Sequence, residues 1–291
     1  MILKEVKKNK TKTVIIITIF FIFVALCVYF LSNLIFEDAY IASIIALFFS
    51  IITSVASYYN SDKMILNINN ARPATREEFL QLNVSLESLC IASGLPMPKL
   101  YVMETDALNA FATGRNPQNA VICVTTGLLK TLDKYELEGV LAHELSHIKN
   151  YDILVSTVAI VMVGFVNILA DMLTNHMYYH SSSEDNKSNS IVAIIGLVFV
   201  ILSPIFASLL NLAISRNREY LADASAVEIT RNKEGLISAL QKIETLSQPM
   251  PNVNKATESL FIADPIKEEK DSLWSTHPST ANRIKKLQNI Q

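Results

Sequence analysis

The sequence predicts an α+β fold, a mainly helical domain with a small sheet, fused to four membrane-spanning helices. Three observations predict it. Four apolar windows exceed the length needed to cross a hydrocarbon core of about 30 Å, and none contains Lys or Arg. Helical periodicity places His143 and His147, four residues apart, on one face. Short apolar or alternating runs at 96–104, 109–114 and 120–125 supply a few strands between helical stretches.

The windows come first because they set the topology. They run over 14–36, 39–59, 153–173 and 191–214, and Asp171 is the single charge within the third. The third and fourth also carry Asn167 and Asn211, so a re-entrant or surface-lying hairpin stays open for them. The preceding segment MILKEVKKNKTKT carries Lys4, Lys7, Lys8, Lys10 and Lys12, and the positive-inside tendency puts it in the cytoplasm. The first run is too long for a signal peptide and lacks a small-residue cleavage pattern, so it reads as a retained anchor. The expected organisation is 1–59 as basic N-terminus and helices 1 and 2, and 60–152 as the first cytoplasmic block. Residues 153–214 follow as helices 3 and 4 with a short external loop, and 215–291 as the second cytoplasmic block.

Composition agrees with a membrane location. The chain of 291 residues is 51% hydrophobic and 18% charged, against roughly 25% charged in soluble domains. A net charge of −2 gives no case for a nucleic-acid partner. Three cysteines, Cys27, Cys90 and Cys123, show no paired spacing and imply no disulfide framework.

Within the first block, Thr75 reads as an N-cap followed by Glu77 and Glu78, with Phe79, Val84, Leu86, Leu89 and Cys90 apolar and Gly94 ending the helix. Asp133 and Glu136 make a capping box for the helix carrying HELSH, His143 to His147. Two neutral imidazoles at i and i+4 hold one Zn²⁺, and Glu144 between them takes a proton from the water that the metal activates. A catalytic zinc needs a third protein ligand. His176 and His180 form another i,i+4 pair, but without an intervening Glu and on the far side of the expected membrane. His277 is on the correct side, within a turn-like His-Pro. Glu219 is the better candidate, because two crossings after His147 return the chain to the same face just before it. Asp223, four residues on, shares its helical face and can accept from the other nitrogen of a ligating His.

The chain resembles the HtpX-type integral-membrane zinc endopeptidases of peptidase family M48, related to the CAAX prenyl endopeptidases. The matching pieces are LNAFATG at 108–114, AHELSHIKNYD at 142–152, SRNREYLADASA at 215–226, SLFIADP at 259–265 and LWSTHPSTANRI at 273–284. With the apolar windows, the likeness spans nearly the whole chain. It implies a gluzincin-like HExxH domain with His143, His147 and Glu219 as zinc ligands, Glu144 as general base and Asp223 behind them. It also implies quality control of misfolded membrane proteins at the plasma membrane. Asp264-Pro265 stands where the family usually has Asn-Pro, and Ser279 where it has a second Pro.

The expected reaction is metal-assisted peptide hydrolysis. His277 is the candidate donor to the tetrahedral oxyanion, ahead of Arg216, as the remaining cytoplasmic His. Substrate backbone is expected to pair with a strand edge, and the resemblance points to Asn109 and Ala110 for it. Two rivals stand beside this reading. A prenyl-protein endopeptidase would use the same zinc chemistry, although four windows are few for a large membrane chamber. A catalytically silent scaffold would keep the metal but has no reason to keep Glu144.

Overall fold

The structure is a computed structural model, and it describes residues 2–35, 58–160, 216–250, 257–265 and 278–290 with a few isolated positions between them. The fourth apolar window and most of the second and third, with His176, His180 and His277, lie outside the described residues. Among the described residues no helix is long and apolar enough to cross a membrane.

The first element, α1 (Ile2–Ile35), has side chains described over 6–22. Asn9, Thr13, Ile16 and Phe20 are buried, an i, i+4, i+7, i+11 stripe that turns one face to the protein. Val14, Ile15, Ile19 and Ile22 are exposed. Helix α2 (Ser61–Ile68) leads into the short strand β1 (Arg72–Pro73).

Helix α3 (Leu80–Ser93) begins later than the sequence suggests. Thr75 caps only a turn, its hydroxyl accepting from Glu78 N at 3.3 Å. Arg72 on β1 draws the Glu78 carboxylate to itself, with Arg72 Nη1 donating to Oε2 at 2.8 Å. Leu82, Leu86, Leu89 and Cys90 form the buried face, whereas Val84 is exposed. Gly94 ends the helix as expected, at φ 69°.

Strands β2 (Lys99–Met103), β3 (Ala110–Gly114) and β4 (Ala120–Thr125) form with β1 a sheet of order β1-β2-β4-β3. The β2–β4 pair is parallel and the others antiparallel. Strand β3 lies at the edge, yet all five of its residues are buried. Residues 258–263 account for part of this cover, with Phe261 edge-on to Phe111 at 5.2 Å. Helical residues 152–160 account for more, with Thr157 Oγ1 3.0 Å from Thr113 Oγ1.

After the short α4 (Thr126–Thr131) comes the central helix α5 (Lys134–Lys149). Its capping box is complete. Asp133 Oδ1 accepts from Tyr135 N and Glu136 N, and Glu136 Oε2 accepts from Asp133 N at 2.8 Å. Leu137, Val140, Leu141, Leu145 and Ile148 enter the main core. Helices α6 (Arg216–Thr230) and α7 (Lys233–Leu246) pack on α5, and α8 (Thr280–Gln288) packs on both. The two polar blocks therefore share one core despite the long apolar stretch between them.

The α5–α7 approach is close because both helices carry glycine at the crossing. A Cβ on Gly139 would stand 2.8 Å from Leu236 N, and one on Gly235 would stand 2.5 Å from Tyr135 O. Gly139→Ala should therefore destabilise the fold by about 1–3 kcal/mol, read as a lower thermal midpoint.

Glu136 also ties α5 to α7, accepting from Ser238 Oγ at 2.6 Å and Lys242 Nζ at 2.7 Å. Burial opposes its charge, but the hydrogen bonds from Lys242, Ser238 and the Asp133 N–H outweigh it and hold the carboxyl below the ordinary glutamate range. A carboxyl depressed in the folded state contributes stability above its unfolded value of about 4.3, and loses it as pH falls through the folded value. Thermal midpoints measured from pH 7 downward should show a steeper acid loss for wild type than for Glu136→Gln.

Candidate metal centre

The cap and core contacts of α5 fix its rotation, which turns His143, Glu144 and His147 to one cleft. On α6, Arg218, Glu219, Ala222, Asp223 and Ala226 are buried, a helical stripe laid against α5. The ligand atoms of His143, His147 and Glu219 consequently all lie within 4.8 Å of one another. The two Nε2 atoms are 3.2 Å apart. Each is 3.6 Å from an oxygen of Glu219, His143 from Oε2 and His147 from Oε1.

The opposite ring nitrogens show what this cluster is for. His143 Nδ1 lies 2.9 Å from Asp223 Oδ1, the orienting contact expected of Asp223. His147 Nδ1 lies 3.0 Å from Asp152 Oδ2. A carboxylate accepts, so each imidazole carries its proton on Nδ1 and turns an Nε2 lone pair into the cleft. Two lone pairs and a carboxylate then converge within a buried space, which a cation satisfies. Their 3.2 Å separation is close to the edge, about 3.3 Å, of a tetrahedron with Zn–N bonds of 2.0–2.1 Å. The residues fit zinc.

A buried scaffold of ion pairs holds the carboxylates in turn. Arg283 on α8 grips Asp223 with Nε at 2.9 Å and Nη2 at 2.7 Å, and donates Nη1 to the Ile262 carbonyl at 2.8 Å. Burial opposes the charge on Asp223, but Arg283 and His143 prevail and bring it down to about 2. Around Asp152, Oδ1 accepts from Asn9 Nδ2 at 2.7 Å and from Arg218 Nη1 at 3.3 Å. Burial and Arg283 disfavour a charged His143, yet Asp223 and Glu219 raise it to about 9. Burial likewise works against His147, and Glu219 with Asp152 raises it. Metal binding at this site must therefore displace protons.

The edge of β3 passes the same cleft. Thr125 N donates to Asn109 O at 3.0 Å, so Asn109, Phe111 and Thr113 face β4, while Ala110, Ala112 and Gly114 face outward. The Ala110 carbonyl accepts from Ile262 N at 2.9 Å. Asn109 spends its side chain on the same segment, Nδ2 donating to the Ala263 carbonyl at 2.9 Å. Gly114 N donates to Thr157 Oγ1 at 3.3 Å. The groups expected to receive substrate at Asn109 and Ala110 are thus engaged within the chain. Ala112, between two occupied positions, lines the cleft with Glu144.

The family model for peptidase family M48 matches residues 76–291. This chain belongs to peptidase family M48. It is 45% identical over 284 residues to a "Protease HtpX homolog" of Dictyoglomus thermophilum, covering 98% of this chain and 93% of that protein. It is 40% identical over 308 residues to a "Protease HtpX homolog" of Listeria monocytogenes serotype 4a, covering the whole of both. Among solved structures, Ste24p of S. mikatae is similar with a TM-score of 0.50 and 22% identity, over 98% of this chain and 66% of that one. The chain is an HtpX homologue, and His143, His147 and Glu219 are the zinc site of an M48 metalloendopeptidase.

Several residues of this M48 site escape a reading of the sequence. Asp152 closes the run HELSHIKNYD, but its spacing of five from His147 is not a same-face helical spacing. Tyr151 at φ 59° breaks the helix and swings Asp152 back. Arg283 did leave a signal, since it sits four residues before the buried Leu287 on an amphipathic helix. Asn9, within a lysine-rich leader, left none.

Removing the orienting carboxylates should weaken zinc without removing a ligand. Asp152→Asn and Asp223→Asn should each lower zinc affinity about 10- to 100-fold, measured by competition with a chelator. Asn9→Ala acts through Asp152 and should give a smaller loss in the same assay.

Proposed function

We propose that this chain is an integral-membrane endopeptidase that hydrolyses peptide bonds of misfolded or damaged membrane proteins at the cytoplasmic face. The observation that carries the reading is the His143–His147–Glu219 cluster, with Glu144 beside it, on helices that adjoin the third and fourth apolar windows. The exposed apolar side chains of α1, Val14, Ile15, Ile19 and Ile22, support a lipid-facing surface. So does the basic segment before them.

His143, His147 and Glu219 would hold the zinc, which supplies Lewis-acid charge for activating water and the scissile carbonyl. Glu144, buried in the cleft, takes the proton from the attacking water and returns it to the leaving amine. Burial pushes its carboxyl up, against the pull of His143 and His147, which suits a group that must accept and then release a proton. The substrate runs as an extended strand beside β3, meeting the outward groups of Ala112. His277, as the remaining cytoplasmic histidine, is the candidate donor to the oxyanion.

Glu144→Gln should keep zinc near one per chain and lower cleavage of an unfolded membrane protein in detergent by at least about a thousandfold. Equal cleavage by the two proteins, with zinc bound in both, would remove Glu144 from its role. A zinc-replete wild type that cleaves only prenylated peptides would favour the prenyl-endopeptidase reading instead.

A further inference from the structure

We propose that Arg218 holds a backbone carbonyl of the substrate beside the metal site, through its Nε–H and Nη2–H. The inference rests on the peptidase reading of the cleft. Arg218 is 7% exposed and lines that cleft with Glu144, His147 and Glu219. One nitrogen is accounted for, Nη1 donating to Asp152 Oδ1 at 3.3 Å. Nε and Nη2 are buried with no hydrogen-bond partner among the described residues.

Buried donors of an ionised group are costly to leave without acceptors, and native structures leave few of them so. Holding Asp152 needs a single N–H, which a lysine ammonium also offers. A guanidinium with its Nε/Nη2 edge left over is a fork for an oxygen acceptor that arrives with a ligand.

Charge decides which acceptor. With the histidines neutral and zinc in place, the dication with Arg218 and Arg283 balances Glu144, Glu219, Asp152 and Asp223. A carboxylate ligand would bring an unbalanced negative charge into a buried site. A peptide carbonyl brings none. Strand geometry supplies that carbonyl, because an extended chain turns alternate carbonyls to opposite sides. Those on one side meet Ala112 of β3. Those on the other need donors from another wall of the cleft, and α6 offers Arg218.

The test uses zinc-loaded full-length protein carrying Glu144→Gln, so that peptides bind without turnover. Adding R218K keeps a cation for Asp152 and removes the fork, and R218Q is judged by the same criteria in case R218K loses zinc. With zinc saturating, so that each chain stays loaded, the peptide dissociation constant should rise about 10- to 100-fold. Peptides with a single thioamide, whose sulfur is a weaker acceptor, should bind the parent less well at one position and show no such penalty in R218K.

Unchanged peptide affinity with zinc retained in the Arg218 variants would overturn the proposal. So would wild-type protein, with Glu144 and hence the charge balance intact, whose inhibition by a peptide depends on a free C-terminal carboxylate, lost on amidation, with R218K indifferent. A parent that binds no extended peptide at all would remove the peptidase reading of the cleft and the proposal with it, a result distinct from an Arg218 variant that binds as the parent does.

Discussion

Two imidazole nitrogens 3.2 Å apart, each with its lone pair turned into a buried cleft, are the constraint on which the structure depends. Such a pair is unfavourable by itself and becomes useful only around a cation. Every layer outside it serves to keep the two rings from turning away. Asp223 and Asp152 hold the far nitrogens. Arg283 holds Asp223, and Asn9 and Arg218 hold Asp152.

These layers come from parts of the chain that are far apart in sequence, and this explains the fold's economy. The metal helix α5 is stabilised on its N-terminal side by a capping box and by Lys242 and Ser238 from α7. Its C-terminal side is held by the break at Tyr151 that returns Asp152. Helix α8 contributes one buried arginine, which connects Asp223 to the Ile262 carbonyl and so to the segment beside β3. The same segment occupies Ala110 and leaves Ala112 as the next outward position on the edge. The metal ligands and the outer edge of β3 are therefore joined by one connected hydrogen-bond network.

The contact from Asn9 links this network to α1. Its buried stripe places the N-terminal helix against the metal site, while its other side remains apolar and exposed. One element thus carries both a face tied to the metal site and exposed apolar side chains, Val14, Ile15, Ile19 and Ile22.

By itself the sequence determined the local features. The capping box at Asp133 and Glu136, the strand 120–125, the left-handed end at Gly94 and the i,i+4 pairing of His143 with His147 each depend on neighbours within a few residues. Glu219 and Asp223 were also legible, since a spacing of four puts both on one face of a helix. Helix α3 starts at Leu80 rather than directly after Thr75, and the Glu78 carboxylate before it is bound by Arg72 on β1. Only the tertiary structure decided that Asp152, Arg283, Asn9 and Arg218 support the site, and that Ala112 rather than Ala110 is the outward position of β3 left beside the cleft. The reason is physical. A buried charge chooses its partner by proximity in the folded core, and a strand edge is open or closed according to what packs beside it, neither of which has a period that can be read along the chain.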